Sequence, residues 1–237
     1  GLTICNNTVF ASTDSIVHKS TNNGNTWNQT SLNNQRIEAL ASNENTIFAS
    51  TRIGILFSTN NGNNWISSSP NTLIPSRLLV NGTNVYAGTE GQGLFKSTNN
   101  GAIFSLTSFT SSIDFDCLAV NQNYVLAGNS ASAVYLTSNN GISWQFSPIV
   151  SYELNDLVIR DNIVFAATKQ FGIFKSTNYG ISWQPTSINN KSVYELTLSG
   201  NNIFAVIDTS LYLSTNNGDS WGLWSNFNMS HLVVAGN

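Results

Sequence analysis

Ser20-Thr21-Asn22-Asn23-Gly24-Asn25-Thr26-Trp27 is the first of six versions of one eight-residue phrase. It returns at 58–65, 97–104, 137–144, 176–183 and 214–221, with Phe104 in place of Trp in the third. Its glycine falls at 24, 62, 101, 141, 180 and 218, in steps of 38, 39, 40, 39 and 38 residues. A fixed period of this size marks an array of like supersecondary units. Two further markers keep phase. Leu2, Leu40, Leu78, Leu118, Leu157, Leu196 and Leu232 each open a short apolar run, and Phe10, Phe48, Tyr86, Leu126, Phe165 and Phe204 follow eight residues later.

The second repeat shows how one unit reads. Residues 37–42, 46–51, 54–59 and 64–68 are short runs rich in Ile, Phe, Ser and Thr, bounded by Asn, Gly and Ser, and are predicted as strands A, B, C and D. No segment sustains a 3.6-residue period, so helices are expected to be nearly absent. The phrase itself predicts the turn between C and D: Gly supplies a positive φ, Asn tolerates one, and the Asn side chain can bond amides around the turn. The Trp that follows is expected to be buried, closing the unit against its neighbour. A lone four-stranded sheet cannot bury both faces, so the units must stack, and radial stacking also protects their edges.

The fold expected is therefore all-β, a β-propeller of four-stranded antiparallel blades. The repeats run approximately 1–35, 36–74, 75–112, 113–152, 153–191 and 192–228, in one domain of 237 residues, with 229–237 an extra innermost strand. Seven copies of strand A against six of B, C and D leave two readings: six blades, or an excerpt of a seven-bladed array.

Composition narrows the function classes. Charged residues are 9% of the chain, against about 25% on average, while 41% is hydrophobic and the net charge is -3. Nine scattered Lys and Arg form no stripe able to neutralise a row of phosphates, so nucleic acid is not an expected partner. No apolar run reaches the ~18 residues that span a bilayer, and the start, Gly1 to Cys5, lacks the charged and apolar regions of a leader. A soluble, already mature chain is expected. Scarce Lys, abundant Asn and sequons at Asn6, Asn28, Asn81, Asn190 and Asn228 point to an extracellular or cell-surface protein. Cys5 and Cys117, placed on the first and fourth blades, are expected as separate buried thiols.

The phrase resembles the Asp-box (BNR) repeat, Ser-x-Asp-x-Gly-x-Thr-Trp, of sialidases, sortilin-type receptors, xyloglucanases and photosystem II assembly factor-like propellers. The resemblance covers all six repeats, and is closest to the secreted propellers of the last kind and the sortilin type, common in bacteria. It implies that the structural turn residues Asn22, Gly24, Trp27, Asn60, Gly62, Trp65, Asn99, Gly101, Asn139, Gly141, Trp144, Asn178, Gly180, Trp183, Asn216, Gly218 and Trp221 are a folding element remote from the functional face. One departure is systematic: Asn stands where the family has Asp. An uncharged amide makes a poor cation ligand, and no metal is expected. Such propellers are often part of a larger exported chain or complex.

A specific site should lie where the repeats disagree. The B–C and D–A loops of a propeller share one face, and fourteen of the twenty-one charges map there. Arg36, Arg52 and Arg77 are expected to form a cationic patch, with Glu90, Lys169 and Asp208 completing a binding surface for a protein or glycan. This makes the leading expectation a non-catalytic interaction or scaffold propeller. The alternative is a glycoside hydrolase of the Asp-box propeller type using paired carboxylates from Asp114, Asp116, Glu153 and Asp156. A sialidase would need a Tyr nucleophile, for which Tyr152 beside Glu153 is the one adjacent candidate. His18 and His231 have no elbow or thiol partner nearby, and Gly91-Gln92-Gly93 precedes no helix, so it reads as a turn and not a dinucleotide site. No cofactor is expected. The loop residues equivalent from blade to blade are Asp14, Arg52, Glu90, Ser130, Lys169 and Asp208, too varied for a lectin that repeats its ligands.

Overall fold

A computed structural model describes residues 1–109, 113–129, 133–149 and 153–226. Among them every regular element is a strand, and the strands form six four-stranded antiparallel sheets, each in simple up-and-down order. In the N-terminal compact unit, Gly1–Asp114, the first sheet holds β1 (Leu2–Cys5), β2 (Thr8–Ser12), β3 (Ile16–Ser20) and β4 (Asn28–Asn33). The second holds β5 (Ile37–Ser42), β6 (Ile47–Thr51), β7 (Gly54–Ser58) and β8 (Ile66–Ser67); the third β9 (Pro75–Asn81), β10 (Asn84–Thr89), β11 (Leu94–Ser97) and β12 (Ser105–Leu106). In the C-terminal unit, Phe115–Asn237, the fourth sheet is β13 (Cys117–Asn121), β14 (Tyr124–Gly128), β15 (Ala133–Thr137) and β16 (Gln145–Pro148). The fifth is β17 (Leu154–Arg160), β18 (Ile163–Thr168), β19 (Gly172–Ser176) and β20 (Gln184–Pro185), and the sixth β21 (Val193–Ser199), β22 (Asn202–Ile207), β23 (Ser210–Ser214) and β24 (Gly222–Ser225).

Burial follows strand position. All five residues of β6 are buried, as are five of the six in β10 and β18. The short fourth strands β8, β12 and β20 are exposed throughout. Phe10, Phe48, Tyr86, Leu126 and Phe165, the third sequence marker, are each 0% exposed. Burial pushes the Tyr86 phenol up to about 12 and lowers the Lys96 ammonium, which lies 5.5 Å from that ring's centroid.

The marker meets the phrase of the following sheet. A Cβ added to Gly180 would sit 2.7 Å from Leu126, one on Gly218 2.5 Å from Phe165, and one on Gly101 would run into the Phe48 ring. Glycine is required there for two reasons, close approach and a φ of +74° to +89° across the phrase glycines of those sheets and Gly62. The residue before each glycine also has a positive φ, and in the fifth sheet that residue is Tyr179, at 60°.

The Asn side chain organises the turn. Oδ1 of Asn60 accepts the Ser58 hydroxyl at 2.9 Å and the Asn64 amide at 2.9 Å, while the Gly62 amide donates to Ser58 Oγ at 2.9 Å. The same Asn–Oδ1 to amide bond recurs from Asn22, Asn99, Asn139, Asn178 and Asn216. Where a hydroxyl stands four residues on, the amide nitrogen uses it too: Asn22 to Thr26, Asn139 to Ser143, Asn178 to Ser182 and Asn216 to Ser220, each at 2.9 Å.

This network corrects the strand limits. In the second sheet strand C stops at Ser58 and strand D is only Ile66–Ser67, not 64–68, because Asn60 takes the Asn64 amide that a longer ladder would use. The Trp residues are also less buried than expected. Trp65, Trp144, Trp183 and Trp221 are half-buried and Trp27 is 41% exposed; the fully enclosed member of the set is Phe104, at 3%. An indole at the root of a short, exposed fourth strand keeps one edge in water. Cys5 and Cys117 are both buried and unbridged, and burial raises the Cys5 thiol.

Adjacent sheets are joined by side chains that change from joint to joint. Asn43 donates to Gly82 O at 2.9 Å and Asn100 Oδ1 at 2.7 Å, and Asn100 returns a bond to Thr46. Lys19 reaches Asn61 O and Asn63 Oδ1, and Lys175 pairs with Asp219 at 2.7 Å. Between the fourth and fifth sheets Tyr124 and Tyr179 stack, with centroids 3.8 Å apart and planes at 9°.

Candidate functional site

In the N-terminal unit the B–C and D–A loops of the second and third sheets enclose a cleft of about 420 Å³. Arg36, Glu38, Arg52 and Glu90 line it together with Ile74, Pro75 and Ser76. Arg36 Nε lies 3.0 Å from Glu38 Oε1, and Arg52 Nε lies 3.8 Å from the same oxygen. One carboxylate thus orients two guanidinium groups on adjacent loops. Both Arg side chains remain more than half exposed, at 56% and 63%, whereas Glu38 is 27% exposed and sits beneath them.

Backbone irregularity places Glu38 and Ser76. The pairing of β5 with β6 shifts between Ile37 and Ala39, and that of β9 with β10 shifts between Gly88 and Thr89, opposite Arg77 and Pro75. The extra residues are Glu38 and Ser76, and a bulge re-aims a side chain that a regular strand would have pointed elsewhere. Arg77 is the correction to the expected triad. Arg77, the next strand position after Ser76, does not line the cleft; its Nη1 donates to Ser76 O at 2.9 Å. Arg36 and Arg52 come together on Glu38 without it.

The remaining predicted binding residues lie in the C-terminal unit, engaged in ion pairs. Lys169 is 3.0 Å from Glu153 and Lys191 is 3.6 Å from Asp208, all between 44% and 55% exposed. Each pair links a B–C loop to the D–A loop before the same sheet, with the signs reversed between the fifth and sixth sheets.

The predicted acids are not equivalent. Asp156 Oδ1 accepts its neighbour Leu157's amide at 2.9 Å and Oδ2 the Leu196 amide at 2.8 Å, bracing the fifth sheet to the sixth. Glu153 carries the Lys169 pair. Asp114 belongs to the N-terminal unit, and Asp116, Glu153 and Asp156 to the other. Among the described residues no group of three or more His, Cys, Asp or Glu could hold a metal ion, and no helix is long and apolar enough to cross a membrane. Tyr152, Ser130, His231, Leu232, the Asn228 sequon and the strand expected at 229–237 lie outside the described residues. Glu38, Ile74, Pro75 and Ser76 are cleft residues outside the expected binding set, Glu38 and Ser76 because a bulge is a property of pairing register and has no local signature.

No protein-family model matches the chain, and no curated protein matches its sequence. Solved structures do resemble it. YCF48 bound to a D1 peptide superposes with a TM-score of 0.73 at 12% identity, over 94% of this chain and 79% of that one. PorZ, an essential surface component of the type-IX secretion system of Porphyromonas gingivalis, gives 0.72 at 13%, over 94% of this chain and 32% of that one. An ancestral GH74 enzyme gives 0.65 at 20%, over 81% and 32%. At such identities the likeness speaks for the fold alone, and it agrees with the six sheets: the chain is an all-β protein of the β-propeller class, built of six four-stranded antiparallel blades.

Proposed function

We propose that this chain is a non-catalytic interaction propeller, exported to the cell surface or medium, that holds a partner protein in the cleft of Arg36, Glu38, Arg52 and Glu90. The observation that carries this reading is the pair of half-exposed guanidinium groups converging on one carboxylate in a cleft also lined by Ile74 and Pro75. Arg fits planar acceptors in two-pronged fashion, and a cleft lined by two Arg and by Glu90 suits a peptide carrying both signs of charge. YCF48 in complex with a peptide and PorZ at a bacterial surface are propellers put to non-enzymatic use, which supports the class of function. The repeated phrase is read as an amide version of the Asp-box, the whole chain as one propeller domain, and export as the reason for scarce Lys and frequent sequons. A surface glycan is the other partner considered for the same cleft.

A second reading, a carbohydrate-active enzyme using paired carboxylates, draws on the GH74 likeness and, within the C-terminal unit, would take its pair from Asp116, Glu153 and Asp156. It fits Asp156 poorly, since both carboxylate oxygens already serve backbone amides.

The test is an array of peptides of graded charge, with a glycan array and a polysaccharide-hydrolysis screen alongside, run on the intact chain and on the Arg36→Ala/Arg52→Ala double variant. Peptides bearing a carboxylate beside an apolar residue should bind, and the double variant should lose about a hundredfold in affinity, as expected for two charge-assisted contacts. Binding that ignores the double substitution would remove the cleft; turnover abolished by Glu153→Gln would favour the enzyme.

A further inference from the structure

The chain contains six Asn-Gly steps, at 23–24, 61–62, 81–82, 100–101, 140–141 and 217–218. Asn-Gly is the step at which an unhindered glycine nitrogen can attack the preceding side chain, so each is a potential site of spontaneous amide loss. Five belong to the repeated phrase and are held alike. The glycine N–H donates to the Ser or Thr hydroxyl that opens the phrase, at 2.9 Å in Gly24, Gly62 and Gly218 and 3.0 Å in Gly101 and Gly141. The preceding Asn is fixed at a φ of 55° to 58°. Attack needs the glycine nitrogen released and the Asn rotated, and the fold opposes both.

Asn81-Gly82 differs at the glycine nitrogen. Asn81 ends β9 and Gly82 opens the two-residue turn to β10, with Asn84 paired to Asn81. The turn's carbonyls are occupied, Gly82 O by Asn43 and Thr83 O by the Asn100 amide. The Gly82 N–H makes no hydrogen bond among the described residues, Gly82 is exposed, and nothing lies within 4 Å of where its Cβ would be.

We infer that Asn81 is the preferred site of spontaneous deamidation in the folded protein, and that the phrase protects the other five steps. In the reaction the Gly82 nitrogen forms a bond to Asn81 Cγ, the side-chain nitrogen leaves as ammonia carrying the proton lost by Gly82, and a cyclic imide results. Water then opens the imide to aspartate or isoaspartate, the latter adding a methylene to the main chain. Either product adds a negative charge to a turn whose carbonyl holds Asn43, and isoaspartate would alter the geometry of that joint.

The test is timed incubation of the intact chain in mildly alkaline buffer, followed by cleavage after Lys and Arg and mass spectrometry with isoaspartate resolved by chromatography. Cleavage at Arg77 and Lys96 isolates Asn81-Gly82 as the one Asn-Gly step in its peptide, residues 78–96. In the folded protein that peptide should convert about five-fold faster or more than any peptide carrying a phrase step, the penalty of breaking one net hydrogen bond. In denaturant the difference should collapse, and Asn81→Gln should silence the fast site without exposing another. Equal folded rates at all six steps, or an advantage for Asn81 that persists in denaturant, would overturn the inference.

Discussion

The two edges of each sheet follow opposite rules. Along the edge made by the C–D turns, Asn22, Asn60, Asn99, Asn139, Asn178 and Asn216 make the same bond to an amide four residues on. Along the edge made by the B–C and D–A loops nothing repeats: Arg36 and Arg52 share Glu38, Lys169 meets Glu153, and Lys191 meets Asp208 with signs exchanged. Uniformity at the first edge goes with a constraint on the turn itself, whose glycine needs a positive φ and, at Gly101, Gly180 and Gly218, must also fit against Phe48, Leu126 and Phe165 of the preceding sheet. Variation at the second shows that the fold imposes no residue there, which leaves its chemistry open to selection by a partner.

If the distinction is sound, substitutions at the turn edge should cost stability in proportion to enclosure. Phe104→Ala removes a ring 3% exposed and should destabilise by about 3 to 5 kcal/mol, read from the urea midpoint, whereas Trp27→Ala, on a side chain 41% exposed, should cost below about 1 kcal/mol. Comparable losses at the two positions would mean that enclosure does not set the cost. Gly101→Ala should come next, at about 3 kcal/mol, combining a clash with Phe48 and a strained φ of +79°. Gly82→Ala has a positive φ of +61° but open space, so only the strain remains, about 1 kcal/mol. A Gly101 variant no worse than the Gly82 one would show that the turn does not press on its neighbour.

Much of this was legible in the residues. Three in-phase markers located all six sheets, and the first strand of the second repeat, residues 37–42, coincides with β5. What escaped has physical causes. The fourth strand was drawn too long because Asn60 replaces a ladder bond with a side-chain bond, and nothing in the sequence of residues 64–68 reports that capture. The Trp that closes each unit against its neighbour is expected to be buried, yet its place next to an exposed strand leaves it half-buried at best, and Phe104 is the enclosed exception. At the site, Arg36 and Arg52 are readable as loop cations from adjacent loops of the second repeat. The places of Glu38 and Ser76 are not readable, since each is the extra residue of a bulge, and Arg77, expected beside Arg36 and Arg52, is not among the residues that line the cleft.

The amide in the phrase offers a smaller effect of its own. Asn60→Ala removes the acceptor for Ser58 and for the Asn64 amide and should cost about 1 to 2 kcal/mol. Asn178→Asp keeps both acceptor bonds, and the Ser182 hydroxyl, which now accepts from the Asn178 amide, can rotate to donate to a carboxylate. Its cost should stay within about 0.5 kcal/mol. A loss as large as that of Asn60→Ala would show that the amide is needed as a donor and that the phrase is not simply an uncharged Asp-box.

The smallest effects on stability belong to the loop edge, and they bear hardest on function. Lys169→Gln breaks an ion pair whose side chains are 53% and 44% exposed, where water and salt leave such a pair about 0 to 1 kcal/mol at most. The unfolding midpoint should barely move. Arg36→Ala/Arg52→Ala should be as silent in unfolding while abolishing peptide capture at the cleft. Glu38→Gln then separates two roles for the shared carboxylate. If Glu38 chiefly competes for the arginines, the neutral variant should bind acidic peptides several-fold more tightly, because both guanidinium groups are released to the ligand. If Glu38 chiefly aims them, affinity should fall toward that of the double variant. Either outcome keeps the cleft as the site; an affinity unchanged by both Glu38→Gln and the double substitution would mean that the variable edge is merely solvated, and that its departure from repetition carries no recognition.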